Sequence, residues 1–262
     1  MHQPLAERMR PKSFGDFFGQ ESLVDSRAPL RRLIEEDRIP SFILWGPPGT
    51  GKTSLARVIA RQTEREFISL SAVMAGVKDL KEAVAKAQSL LNQLAPKRTI
   101  VFVDEVHRFN KAQQDVLLPF IEDGTITFIG ATTENPSFEL NSALLSRAPV
   151  YILKPLSEEN LLQIIKHALQ SEEKEGALPE AWLSEIASRA NGDARRALTL
   201  LERVIAFFAA RQIQENFSGA EGASFEAELF EQAMRAKVLR YAASGEDHND
   251  TISAFFKSMR DS

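Results

Sequence analysis

The residues Gly46-Pro47-Pro48-Gly49-Thr50-Gly51-Lys52-Thr53 constrain this chain more than any other feature of it. They follow an apolar run, Phe42 to Trp45, and open a segment in which Leu55, Val58 and Ile59 recur at helical spacing. A strand that turns on glycines directly into a helix commits the fold to a sheet with helices packed on it. Glycine lets the backbone curl so that successive N–H groups converge, and the first turn of the following helix adds unpaired N–H groups and its positive dipole end. Such a concavity takes phosphate. Lys52 then reaches the β- and γ-phosphates of ATP, the Thr53 hydroxyl is a ligand for Mg²⁺, and Ser54 follows in the same turn. A Gly/Pro turn that binds nothing is the bland alternative, and the strand–turn–helix context argues against it.

Further apolar runs predict the rest of the sheet. Phe67 to Leu70, Thr99 to Val103, Thr127 to Ala131 and Pro149 to Leu153 read as short buried strands. Between them Val77, Leu80, Val84, Ala87 and Leu91 share one helical face, and Asn110 caps a helix carrying Val116, Leu117 and Phe120 that stops at Gly124. Strands alternating with helices imply a parallel sheet covered on both faces, an α/β fold. After Pro155 the strand pattern ends. Ser157 caps a helix with Glu158 and Glu159 in its first turn, and further helices are expected at about Pro179 to Ala190 and Asp193 to Arg211. The expected division is an α/β domain over 1–155, a helical lid over 156–212, a Gly/Ser/Glu-rich linker over 213–224, and C-terminal helices over 225–262.

Asp104 and Glu105 end the run Thr99 to Val103, and strands of a parallel sheet present their carboxyl ends to the ligand crevice. Asp104 is placed to hold Mg²⁺ through water, and Glu105 to orient and deprotonate the water that attacks the γ-phosphate. At the end of the next strand Thr133 is placed to bond the γ-phosphate or the attacking water, a turn or cap residue being the alternative. Arg147 follows a short helix and lies too far along the sheet for its own subunit's nucleotide, so it would serve a neighbour; a surface salt-bridge arginine is the alternative.

Composition narrows the setting. The 262 residues are 44% apolar and 26% charged, ordinary for a globular protein. Net charge is −4, so a DNA contact must come from a local patch or from subunits pooling small patches rather than from a broadly basic face. No apolar run approaches a membrane span, and Met1 to Pro11 is not a secretory signal. There is no cysteine, which excludes disulfides and thiolate metal sites and fits a reducing, cytoplasmic location. The four histidines are scattered without metal spacing; His107, beside the acidic pair, reads as a structural or relay residue. Lys78, Lys81 and Lys86 read as a solvated helix face, with DNA contact as the alternative. Ser71 ends the second strand, where a resemblance to ATPases would imply a polar residue that restrains Glu105 until DNA arrives.

With these elements in order the chain resembles an AAA+ ATPase. More narrowly it resembles the replication-associated recombination protein A family, relatives of clamp loaders and of the Werner-helicase-interacting ATPases. Leu5-Ala-Glu-Arg-Met-Arg-Pro11, Phe18-Gly-Gln20, Gly46 to Thr53, Asp104-Glu-Val-His-Arg-Phe-Asn110, Gly130 to Phe138 and Gly192-Asp-Ala-Arg-Arg-Ala-Leu198 carry the resemblance, over essentially the whole chain. It implies a P-loop sheet of five parallel strands in order 5-1-4-3-2 with a helical lid. It implies that Thr133 is sensor 1, Arg147 an arginine finger, and Arg195 the sensor 2 that swings from the lid onto the γ-phosphate, with Arg196 as the competing choice. Arg10, Pro11, Phe18, Gly19 and Gln20 would line the adenine pocket. It further implies DNA-dependent ATPase activity at stalled or gapped replication forks, in a homo-oligomer, with single-stranded DNA-binding protein as a partner.

Members of that family continue into a helical oligomerisation domain. Ile252 to Ser262 resembles its first helix, with Asp261 where the family usually has Gly, so the oligomerisation region is expected to be largely missing from this chain. Ile252, Phe255, Phe256 and Met259 form an apolar helical stripe that either packs on the lid or faces a partner. Two other functions compete with a DNA-coupled motor. One is an ATP-gated binding module with little hydrolysis, which the presence of Glu105 disfavours. The other is a clamp-loader subunit or branch-migration motor, which the Asp-Glu-Val-His-Arg-Phe-Asn run disfavours.

Overall fold

Ile43 and Leu44 point to opposite faces of one strand, and those faces seed two separate cores. The structure, a computed structural model, describes residues 3–215 and 230–234. From the N-terminus, α1 (Leu5–Arg8), α2 (Glu21–Val24) and α3 (Pro29–Glu35) precede β1 (Phe42–Trp45), α4 (Lys52–Gln62) and β2 (Glu66–Ser71). Then come α5 (Val77–Leu91), β3 (Thr99–Asp104), α6 (Lys111–Glu122), β4 (Thr127–Thr132), α7 (Pro136–Glu139), α8 (Ser142–Leu145) and β5 (Val150–Ile152). Helices α9 (Glu158–Ser171), α10 (Glu180–Ala190) and α11 (Ala194–Glu215) follow.

The five strands form one sheet in the order β2-β3-β4-β1-β5, every neighbouring pair parallel. Read from the other edge this is the expected 5-1-4-3-2. Strand residues alternate between two apolar clusters, as a period of two requires. Phe42, Leu44, Ile100, Phe102, Ile129 and Ala131 pack with α3 and α4 on one face, and Ile43, Val101, Val103 and Phe128 pack with α5, α6 and α8 on the other. Both faces are therefore dry across β1, β3 and β4, which is why these read as continuous apolar runs. The edge strands β2 and β5, expected to be buried too, are only partly so, because each has a neighbour on one side alone. Deleting a fully buried ring such as Phe102 would cost about 3–5 kcal/mol.

Caps behave as their residue types dictate. The Asn110 side chain accepts from the Gln113 N–H at 2.9 Å while Gln113 reaches back to the Asn110 N–H at 3.0 Å, and Ser157 accepts from the Asn160 N–H at 3.1 Å. Helix α5 buries Leu80, Ala83, Val84 and Ala87, but Val77, expected on that face, opens the helix and is 39% exposed.

Helices α9, α10 and α11 bury Leu161, Ile165, Leu183, Ile186, Ala197 and Leu201. The short α1 is held to them: the Leu5 N–H donates to Glu202 Oε1 at 2.9 Å, and Arg8 pairs with Glu172 and, at 3.7 Å, with Glu202. Helix α11 runs to Glu215, so the linker expected from residue 213 starts at least three residues too early. An apolar turn of helix propagates into polar residues where no breaker intervenes, and Ile213-Gln-Glu215 holds none. The chain divides into two units, Met1–Ala220 and Glu221–Ser262; of the second, residues 230–234 are described and are helical. The expected final helix with Ile252, Phe255, Phe256 and Met259 lies outside the described residues.

Candidate functional site

The turn after β1 is built to be approached closely. Gly49 and Gly51 hold φ of 68° and 99°, the left-handed region where a side chain is strained. A Cβ on Gly49 would collide with the Asp193 carboxylate, and one on Gly51 would meet the Phe17 ring at 2.6 Å. Helix α4 begins at Lys52 with no side-chain cap, so its first N–H groups face the concavity rather than a neighbour's side chain. Thr50, fully buried, fastens the turn by donating to the Pro47 carbonyl at 2.9 Å. Lys52 is also buried, and its ammonium donates to the carbonyls of Gly46 at 2.6 Å and Pro47 at 2.8 Å. Burial lowers its pKa, opposed by the charges of Glu105 and Asp104. A desolvated cation held on weak neutral acceptors has strong reason to take an anion.

The carboxyl ends of β3 and β4 bring the remaining polar groups to the same concavity. Asp104, Glu105 and Thr133 line it together with Pro48, Gly49, Thr50, Gly51, Lys52, Thr53 and Ser54, and the lid supplies Arg195. Arg10, Pro11 and Phe18 close one end. Burial, then the adjacent Glu105 charge, raises the Asp104 pKa, against partial relief from the Glu105 N–H, Lys52 and Arg195. A half-buried acid whose ionised form is disfavoured in the free protein is a fit ligand for a divalent cation, which would remove that penalty. Glu105 stands in the left-handed region at φ 52°, and its Oε2 accepts from Thr133 Oγ1 at 3.3 Å. The Arg10 Nε, on a residue that lines the cavity, is buried with no hydrogen-bond partner. These donors, the glycine cradle and the two carboxylates fit a nucleoside triphosphate with Mg²⁺.

Several expected residues lie elsewhere. Gly46 and Pro47 form the floor of the loop, offering carbonyls to Lys52 instead of lining the cavity. Gly19 and Gln20, expected in the adenine pocket, are not in its lining. The Gln20 side-chain amide donates to the Lys154 carbonyl at 2.6 Å and accepts from its N–H at 3.1 Å, which commits both ends of the side chain to the segment leading into the lid. A Cβ on Gly19 would strike Leu156 at 2.6 Å, so that glycine permits the same close approach. Both residues therefore pack on the segment 154–156, which precedes α9. Arg195 lines the cavity and Arg196 does not. Arg147 is outside it: its guanidinium pairs with Glu122 and donates to the Ala143 carbonyl at 2.8 Å. Ser71, exposed at the end of β2, is not among the described partners of Glu105. Lys78 and Lys86 pair with Glu82 and Glu66, as a solvated face does.

Sequence reading missed Met9, Phe17, Ile164, His167 and Leu198, which complete the apolar walls. Phe17 adjoins Phe18, the residue singled out, and its signal was the paired aromatics before Gly19. Ile164, His167 and Leu198 belong to helical faces whose spacing looks the same whether they line a cavity or a core.

Residues 42–156 match the ATPase family associated with various cellular activities (AAA), and residues 172–260 match the AAA C-terminal domain. The chain is 49% identical over 265 residues to replication-associated recombination protein A of Escherichia coli (strain K12), covering 99% of this chain and 57% of the relative. It is 42% identical over 271 residues to ATPase WRNIP1 of Dictyostelium discoideum, covering 99% of this chain and 31% of that one. The solved Thermotoga maritima RuvB Holliday junction branch migration motor superposes with a TM-score of 0.66 at 29% identity, over 85% of this chain and 72% of that one. The chain thus spans little more than half the length of the bacterial relatives it matches at 46–49% identity.

Proposed function

We propose, from the premise that this chain belongs to the AAA ATPase family in its replication-associated recombination protein A branch, that it hydrolyses ATP to drive remodelling of DNA or DNA-bound proteins at stalled or gapped replication forks. The observation that carries the chemistry is one cavity holding the Gly49–Thr53 turn, Asp104, Glu105, Thr133 and the lid's Arg195 together.

The roles follow from position. Main-chain N–H groups of the turn and the start of α4 cradle the phosphates, and Lys52 leaves the Gly46 and Pro47 carbonyls for the β- and γ-oxygens. Thr53 and Asp104 would hold Mg²⁺, which when bound neutralises charge between the phosphates. Glu105 takes the proton of the attacking water as the water oxygen bonds to the γ-phosphorus and the bond to the ADP oxygen breaks. Thr133 orients that water, and Arg195 reports the γ-phosphate to the lid. The lid is the body beginning near residue 156, hinged where Gln20 grips Lys154. Arg147 completes the charge stabilisation in a neighbouring subunit, so the working form is a homo-oligomer.

The fork role rests on the relatives: identity is 49% to a replication-associated recombination protein and 29% to the branch-migration motor, which favours the former as the guide to function. On this reading the partners are forked, gapped or single-stranded DNA, met through local patches, and single-stranded DNA-binding protein, in the cytoplasm at the nucleoid.

Turnover per site measured against protein concentration tests the proposal. It is expected to rise steeply with concentration, because a trans arginine contributes on the order of 10³–10⁵ in rate. Glu105→Gln should bind Mg-ATP and hydrolyse it poorly. If Glu105→Gln retained the biological activity while Lys52→Ala lost it, the chain would be an ATP-gated binding module instead.

A further inference from the structure

The side chain of Glu105 meets a second group that the roles above leave unused. His107 lies in the short turn after β3, its side chain 7% exposed, with Nδ1 3.4 Å from Glu105 Oε2 and 2.9 Å from Thr132 Oγ1. Thr132 is fully buried at the end of β4, next to Thr133. The Thr132 hydroxyl accepts from the Glu134 N–H at 3.0 Å and donates to the Glu134 carbonyl at 3.2 Å. With that hydrogen on the Glu134 carbonyl, the Thr132 hydroxyl takes the Nδ1–H of His107 as its second donor, and this is the tautomer the inference uses. Nδ1 also lies 3.4 Å from Glu105 Oε2, a distance at which a bare lone pair would repel the carboxylate and a proton would attract it.

We infer that His107 is a positioning residue for Glu105: through Nδ1–H, anchored on Thr132, it holds the carboxylate where the attacking water must be met. The left-handed backbone at Glu105, φ 52°, supplies the reason such a hold is needed. A non-glycine residue there is restrained by its surroundings, and a carboxylate one residue past a strand end has several rotamers open to it. His107, from the turn after β3, and Thr133, just past the end of β4, stand 3.4 Å and 3.3 Å from the same carboxylate oxygen. Thr132 joins this hold to the phosphate loop, because its carbonyl accepts the Gly46 N–H at 3.2 Å.

This inference rests on Glu105 acting as the base, and the test separates the two. Hydrolysis and Mg-ATP binding are measured for the full chain at saturating concentration, in parallel for His107→Ala, His107→Asn, His107→Gln and Glu105→Gln. Asparagine places an N–H donor where Nδ1 sits, and glutamine places one farther out, near Nε2. His107→Ala is expected to lower kcat by on the order of 10²-fold, as ångström-scale misplacement of a reacting group does, while KM and the Mg-ATP dissociation constant stay within about threefold. Asparagine is expected to restore most of kcat and glutamine little. A merely space-filling His107 would favour glutamine, which is closer in size, so recovery by glutamine equal to or better than asparagine overturns the inference. So does a kcat for His107→Ala within twofold of the parent while Glu105→Gln is inactive. Full hydrolysis by Glu105→Gln would instead remove the base itself, and this inference with it. If the alanine variant fails to fold, the asparagine and glutamine pair decides alone.

Discussion

At Asp104 the demands of stability and of chemistry diverge, because burial and the adjacent Glu105 charge both raise its pKa. A folded-state pKa above the unfolded one contributes stability at pH below the unfolded value and loses it as pH rises through the folded value. At neutral pH the ionised Asp104 is therefore a burden on the nucleotide-free protein. Asp104→Asn should raise its melting temperature, each 1 kcal/mol gained appearing as about 2–4 °C in a body of this size. The advantage should shrink as pH is lowered toward the carboxylate range, since protonation relieves the same burden in the parent. Hydrolysis should fall by on the order of 10²-fold or more, with the cation's ligand gone. Parallel thermal melts at two pH values, with turnover at neutral pH, check this; a variant that melts lower than the parent at neutral pH contradicts it. The acidic pair was legible in sequence because a strand end and two carboxylates are adjacent in the chain. The raised pKa was not, since it depends on what a fold brings around the group.

Among elements, the legible ones carry their instructions locally. Asn110 and Gln113 are three residues apart, and their reciprocal capping bonds could be read from the residues themselves. Replacing Asn110 by Ala should cost about 1 kcal/mol, within a range of about 0.5–2, and so lower the melting temperature by about 2–4 °C. Because α6 packs on the sheet face away from the phosphate loop's helix, Mg-ATP affinity should be unchanged. Calorimetric titration of the variant checks the second half, and an affinity loss beyond about threefold would show that α6 reaches the site. The central strands β1, β3 and β4 were legible for the same reason, each being a continuous apolar run with both faces covered. The illegible elements are those made by distance. Helix α1 has four residues and no propensity to stand alone; it exists because Leu5 and Arg8 bond to residues in α11 and after α9, 164 or more positions away. Gln20 was assigned to the adenine pocket since it stands beside Phe18, and its commitment to Lys154, 134 positions on, leaves no trace in the sequence around either residue.

For the molecule as a whole, the decisive placement is that of Arg147 relative to the cavity. The cavity gathers Lys52, Asp104, Glu105, Thr133 and Arg195, whereas Arg147 sits beyond α8, bonded to Glu122 and to backbone at the end of its own helix. That pairing is exposed on both sides, about a third for the arginine and a half for the glutamate, so it is screened and easily exchanged for a phosphate. An arginine used on its own subunit's phosphates should be rescued by nothing; one used on a neighbour's can be. Lys52→Ala and Arg147→Ala should each hydrolyse ATP at less than about a hundredth of the parental rate, for different reasons. The first lacks a phosphate site but keeps its arginine, and the second keeps its site but has no arginine to lend. Mixed in equal amounts, they form junctions in which an Arg147→Ala site meets the intact arginine of a Lys52→Ala neighbour. Those junctions are complete, about a quarter of the total under random mixing, so the mixture should regain a comparable fraction of parental turnover. The dependence on ratio is diagnostic: turnover should peak near equal amounts and vanish at either end, at protein concentrations where light scattering shows assembly. If the mixture stays as inactive as its components while scattering reports mixed oligomers, Arg147 serves its own subunit or none, and the working unit is the single chain.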